Sequence, residues 1–302
     1  EWDRDALRSG NFVPTPSTWR VQMLRDMGGW PSGVPQMDAW CTAMRGSRLG
    51  WTGRHVYGTP VRVRRHDGNA ARRLQPRDAV YWAARRLSIV TLFSGIGKLL
   101  PQWADWITRA DLPPQTTVIA GDNGECPMFA TALIDTLASL PRRLNVLRVE
   151  VRSGIDMEGG VNGPHSRVPG LYNQVMPQAC DLGDIVLMLE DDVLPPLDAV
   201  RTLSSCFQTG HRKPPLAGAA GLYQCRSGHG NLCVARDPFV WRSNFKESDI
   251  RPGLQPIGQI PGGCSLFDSR ALRLALPFRW SVDPGGNRVG WDGNMSRTLT
   301  HS

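Results

Sequence analysis

From residue 87 onward, apolar runs free of polar interruption alternate with stretches of helical spacing. Leu87-Ser-Ile-Val-Thr-Leu-Phe93 predicts a strand, which Ser94-Gly-Ile-Gly97 breaks before a helix over Leu99–Ala110. Thr116-Thr-Val-Ile-Ala120 predicts a second strand, closing on Gly121-Asp122-Asn123-Gly124, with a helix following through Leu140. A third strand is expected around Leu144–Val151, a helix near Leu171–Ala179, and a fourth strand over Ile185-Val-Leu-Met-Leu189. Apolar runs that do not alternate belong to strands covered on both faces. Strand and helix in this succession predict right-handed βαβ units, hence an α/β protein whose mostly parallel, Rossmann-like sheet is flanked by helices.

In such sheets ligands gather at the carboxyl ends of the strands. The fourth strand runs straight into Glu190-Asp191-Asp192, and Asp122 falls at the same edge. Adjacent carboxylates repel one another and lose hydration unless a cation sits among them. Oxygen donors suit a hard ion such as Mg2+ or Mn2+, and that ion suits a diphosphate. The alternative is a solvated acidic turn, consistent with Pro195-Pro196 just beyond. Asp292, between Gly290 and Gly293, reads alone as a turn or helix-capping aspartate, and Asn173 reads equally as a helix cap.

Taken in order, these pieces resemble the nucleotide-sugar-dependent glycosyltransferases of the GT-A fold, especially the inverting family two. The matching elements are Leu87–Phe93, Val118-Ile-Ala-Gly-Asp122-Asn123-Gly124, Asn173 in Pro169-Gly-Leu-Tyr-Asn-Gln, and Leu189-Glu-Asp-Asp192 in place of the DXD motif. Ile260-Pro-Gly-Gly-Cys264, Leu276-Pro-Phe278 and Gly290-Trp-Asp292 complete the set, over about residues 87 to 302. Glu190 departs from the usual Asp. The resemblance implies that Asp122 holds the nucleotide base or ribose, with Asn173, Glu190, Asp191, Gly262 and Gly263 also lining the donor site. It further implies that Asp192 and Glu190 hold Mn2+ or Mg2+, and that Asp292 is the general base. The expected partners are a UDP-, GDP- or dTDP-sugar donor and a glycan, protein or other hydroxyl acceptor.

Residues 1–86 resemble the later half of a second such domain, through Gly10-Asn11-Phe-Val-Pro14, Met37-Asp-Ala-Trp40 and Arg65-His66-Asp-Gly-Asn69. On that match Asp38 aligns with the base aspartate and His66 with a late metal-binding histidine. The expectation is a piece of a longer protein with tandem glycosyltransferase domains, a partial GT-A-like segment at 1–86 preceding a GT-A domain at 87–302. An Arg-rich segment without a site, or one folding back to complete the second domain, are the alternatives.

The charge is unevenly spread. Residues 1–86 hold 15 Arg, no Lys and 7 acidic side chains, whereas 87–302 hold 20 basic and 20 acidic ones. Arg62, Arg64, Arg65, Arg72, Arg73 and Arg77, with Trp51 and Tyr57 nearby, raise the competing reading of a nucleic-acid or anionic-polymer binding module. No helix-turn-helix, RNA-recognition or finger pattern supports it, so nucleic acid is not the expected partner. A metal-dependent phosphohydrolase built on Glu190, Asp191 and Asp192 is the other competitor, lacking an evident second ligand cluster among the 6 His. No apolar run approaches the roughly 20 residues of a membrane span. Seven Cys at irregular spacing predict reduced thiols and a cytoplasmic setting.

Overall fold

The computed structural model describes residues 3, 7, 18–30, 38–54, 82–93, 99–123, 126–152, 164–208, 216–221, 231–235, 244–246, 257, 259–279, 281–282, 288–289 and 291–301. The chain divides into two units, residues 1–85 with 113–115, and residues 86–112 with 116–302.

In the amino-terminal unit, α1 spans Val21–Asp26 and α2 spans Asp38–Arg48. A small core gathers Leu7, Trp40, Cys41, Ala43, Met44, Ala83 and Ala84. The Trp40 indole donates to the Leu7 carbonyl at 2.8 Å. Arg48 donates to the Ala84 carbonyl at 2.9 Å, and the buried Arg45 to that of Ala83. These two arginines therefore satisfy backbone acceptors instead of presenting charge to a ligand. The cluster Arg62–Arg77 lies outside the described residues.

The larger unit begins with β1 (Arg86–Phe93), α3 (Leu100–Arg109), β2 (Gln115–Asp122), α4 (Pro127–Ser139) and β3 (Asn145–Glu150). It continues with α5 (Pro164–Leu182), β4 (Ile185–Leu189), α6 (Ala199–Ser205), β5 (Gly218–Ala220), β6 (Asn231–Ala235) and β7 (Asn244–Lys246). It closes with β8 (Cys264–Asp268), α7 (Ser269–Leu274), β9 (Ser281–Val282), β10 (Arg288–Val289) and α8 (Trp291–His301). Six strands form one sheet in the order β3-β2-β1-β4-β8-β5. β2 runs parallel to β3 and β1 to β4, while β8 is antiparallel to both β4 and β5.

Every residue of β4 is buried, as its unbroken apolar run requires. Arg86 and Asp184 fasten the starts of β1 and β4. The Arg86 guanidinium donates to Asp184 Oδ1 at 3.0 and 3.3 Å, and its backbone N–H to Oδ2 at 3.1 Å. The polar Thr91 within β1 accepts a hydrogen bond from the Trp103 indole of α3 at 3.1 Å. On the other face α5 lays Tyr172, Val175, Met176, Ala179 and Cys180 into the main core at helical spacing. That burial sustains the helix through Pro169 and Pro177, each of which removes a backbone donor. Among the described residues no helix is long and apolar enough to cross a membrane.

Gly183, between α5 and β4, has no room for a side chain. A Cβ there would lie 2.6 Å from the Ile185 carbonyl oxygen and 2.8 Å from the Ser88 nitrogen, both backbone atoms. Gly183→Ala is expected to destabilise the fold by about 2 kcal/mol, measured as a lowered urea midpoint. An unchanged midpoint would show that the turn relaxes freely.

Candidate functional site

The topology assembles one edge of the sheet from distant parts of the chain. The β1–β4 register runs from Leu87 opposite Ile185 to Val90 opposite Met188, so β4 delivers the acidic triplet beside the end of β1. On the other side of β1, Gly121 packs so tightly on Leu92 that a Cβ would collide with its Cδ2. Asp122 and Glu190 therefore flank β1 at one edge, their strands roughly 10 Å apart at two strand spacings.

Asp122 is buried, with 1% of its side chain exposed. Arg148 of β3 donates to its Oδ2 through Nη2 at 2.7 Å and Nε at 3.2 Å. A third bond runs from Arg148 Nη1 to Glu150 Oε1 at 3.1 Å. Asp122 and Glu150 are register partners, two carboxylates opposed on adjacent strands. The diagonal guanidinium offsets their repulsion. Its hydrogen bond with Asp122, foremost, holds the Arg148 pKa above the ordinary value; burial opposes this, and the two carboxylate charges add to it.

The acidic turn is fixed through its backbone. Glu190 N–H donates to the Gly263 carbonyl at 2.9 Å, and Val193 N–H to the Glu190 carbonyl at 3.2 Å. Glu190 and Asp191 are half-buried and Asp192 is exposed. Beneath them Tyr172 of α5 is buried and meets Phe278 edge to face, with ring centroids 6.3 Å apart. Burial first, and then the charges of Glu190 and Asp191, push the Tyr172 phenol far above its usual range.

Gly262 and Gly263 are buried in the turn before β8, whose Cys264 pairs with Leu189. Burial pushes the Cys264 thiol up to about 11. Asp292 lies in the first turn of α8, where the helix dipole favours an anion. Its Oδ2 accepts from Gln259 Nε2 at 2.6 Å. The Ser296 hydroxyl donates to the Asp292 carbonyl at 2.8 Å and accepts from Ile260 N–H at 2.9 Å. Residues 259–263 are thus hydrogen-bonded to α8 at one end and to the start of the acidic turn at the other.

Asn173 takes another part. Its Nδ2 donates to the Phe278 carbonyl at 2.9 Å and its Oδ1 accepts from Phe278 N–H at 2.7 Å, so the amide clamps a backbone segment. Asp38 is the first residue of α2 in the other unit, and His66 lies outside the described residues. Arg148 and Gln259 are absent from the motifs of the sequence, where Tyr172 stands only as the neighbour of Asn173. Arg148 is legible there as a basic residue two positions from Glu150 and hence on the same strand face.

Beyond the acidic turn, Leu194 and Leu197 line a groove of about 530 Å³ with Pro101, Gln102, Asp105 and Trp106. Asp105 there is ion-paired to Arg109 at 2.9 Å. The groove offers apolar burial, whereas the carboxylates of the acidic turn stand at the sheet edge.

A divalent ion suits the donor set at that edge. Among the described residues no three His, Cys, Asp or Glu side chains converge as a ready-made cage. Mg2+ is characteristically held by one or two carboxylates, with substrate phosphates and water completing the shell. Glu190, Asp191 and Asp192 are three carboxylates in succession at one strand end.

No protein-family model matches the sequence, and no curated protein matches it. Several solved structures are similar in fold. One is a mannosyltransferase from Pyrobaculum calidifontis in complex with GDP-Man and Mn2+, at 15% identity over 71% of this chain and 52% of that one, TM-score 0.45. Another is S. aureus TarS 1-349, at 14% identity over 71% of this chain and 55% of that one, TM-score 0.41. A third is glucosyl-3-phosphoglycerate synthase from Mycobacterium tuberculosis in complex with uridine diphosphate, at 17% identity over 70% and 63%, TM-score 0.37. The matches thus span between 52% and 63% of the length of these proteins.

Proposed function

We propose that residues 87–302 form a GT-A-type glycosyltransferase domain that moves a sugar from a nucleotide-sugar donor to an acceptor hydroxyl with inversion. In the same proposal residues 1–86 are the later half of a related domain, to which Asp38 and His66 belong. The observation that carries the reading is the hydrogen-bonded continuity of Glu190, Gly263, Gln259 and Asp292 at one sheet edge. It links, through residues 259–263, the acid cluster that we assign to the diphosphate and the carboxylate that we assign to proton transfer.

Asp122, held by Arg148, binds the base or ribose of the donor through charge-assisted hydrogen bonds. Gly262 and Gly263 allow the backbone to approach the donor closely. Asp192 and Glu190 hold the divalent ion, which when bound supplies positive charge beside the departing diphosphate. Asp292 takes the proton of the acceptor hydroxyl as that oxygen attacks the anomeric carbon from the side opposite the leaving group. Cys41, Cys126, Cys180, Cys206 and Cys264 are thiols, which supports a reducing, cytoplasmic setting.

Calorimetric titration of UDP and GDP tests this directly, with Mn2+ and then with EDTA. The expected result is metal-dependent binding that Asp192→Ala weakens by roughly tenfold or more. Binding indifferent to EDTA and to Asp192→Ala would remove the acid triplet from the donor site.

A further inference from the structure

Gln259 belongs to no motif, and in sequence it is merely part of the loop before the glycines. In the fold its side chain reaches across to α8 and ends on Asp292 Oδ2, at 2.6 Å. The next residue is tied to the same helix separately, through Ile260 N–H and the Ser296 hydroxyl at 2.9 Å. These two bonds differ in what they control. The Ser296 bond engages backbone at both ends, Ile260 N–H and the Asp292 carbonyl, and docks the loop whatever side chain stands at 292. The Gln259 bond ends on the carboxylate itself and so fixes its rotation about the Cβ–Cγ axis.

We infer that Gln259 is a positioning residue that aims the Asp292 carboxylate toward the acceptor hydroxyl, an inference that rests on the glycosyl-transfer reading above. An amide fits this task better than a cation does. Its NH2 group donates a directed hydrogen bond yet carries no charge. A lysine or arginine in its place would favour the ionised carboxylate and make it a weaker base. The loop also carries the orientation onward, because Gly263, in the glycine turn that follows it, accepts the Glu190 N–H at 2.9 Å. Residues 259–263 thereby connect the base to the end of β4, where the donor diphosphate is placed.

The test uses the whole chain with Mn2+ and follows nucleoside diphosphate release from UDP-glucose, UDP-N-acetylglucosamine and GDP-mannose. Gln259→Met, Ser296→Ala and Asp292→Asn are compared for kcat, KM, UDP and GDP affinity, and thermal midpoint. Gln259→Met is expected to lower kcat by roughly 10- to 100-fold, with donor KM and nucleotide affinity unchanged. Ser296→Ala is expected to lower the thermal midpoint and leave kcat alone. If Gln259→Met does not fold, Gln259→Leu decides on the same terms, since it too removes the donor without adding a charge. Full kcat in the Gln259 variant alongside lost turnover in Asp292→Asn overturns the positioning role and leaves the glycosyl-transfer reading standing. An equal fall in kcat for the Gln259 and Ser296 variants also overturns it, reducing both bonds to loop docking. Full turnover in Asp292→Asn, or no release by the unaltered chain from any of the sugars, sinks the underlying reading and this inference with it.

Discussion

Asp292→Asn is expected to lower turnover by roughly 10²- to 10⁴-fold, the usual contribution of a general base, while nucleotide affinity stays the same. The substitution is nearly isosteric. Asn retains a carbonyl oxygen that can accept the Gln259 bond now made at 2.6 Å, and it leaves undisturbed the Asp292 backbone carbonyl that binds Ser296. What it loses is the ability to take a proton, together with the favourable placement of a negative charge in the first turn of α8. That second loss costs stability by only about 0.3–1 kcal/mol, so the variant should fold. Steady-state release of nucleoside diphosphate, run beside calorimetric binding of UDP and GDP, separates the effects. Loss of kcat with binding intact assigns the proton transfer to Asp292. Loss of both would make Asp292 a structural anchor for the glycine turn, and loss of neither would place the base elsewhere.

How far the sequence foretold this arrangement depends on whether a feature is local. Ile185–Leu189 is read with its bounds intact, because an apolar run that stops on three charges defines its own limits. β1 starts one residue earlier than expected, at Arg86. There the partner is Asp184, a residue 98 positions away that no local pattern reveals. α5 extends well beyond the expected Leu171–Ala179, and burial of one face carries it through Pro169 as well as Pro177. β8, which runs against both its neighbours, and the three-residue edge strand β5 escaped the βαβ reading.

The chemistry divides along the same line. Acids at a strand end and glycines before another strand are legible by residue type and place. Arg148, Tyr172 and Gln259 are not, because each acquires its meaning from a partner across the fold. Asn173 is legible by its motif, while the Phe278 backbone that both ends of its amide engage, 105 positions away, is not.

Arg148→Met is expected to destabilise the larger unit by about 3 kcal/mol, the lower end of the range for breaking a buried ion pair by removing one partner. The methionine can fill much of the space left by the arginine stem, so the lost packing is small. The cost arises from what remains. Asp122 keeps a carboxylate that is 1% exposed, directly across the ladder from Glu150, with the intervening guanidinium gone. Asp122→Asn alone should cost less, because it leaves behind an arginine that is 26% exposed and can turn toward water and Glu150. The double variant separates the pair energy from the packing. If the guanidinium serves to neutralise Asp122, removing both charges together should recover part of the loss and bring the urea midpoint above that of Arg148→Met alone. Costs that simply add would mean that Arg148 stabilises β3 through its aliphatic stem and its bond to Glu150. On that outcome Asp122 would be held in place by the sheet itself, and its orientation at the sheet edge would not depend on its cation.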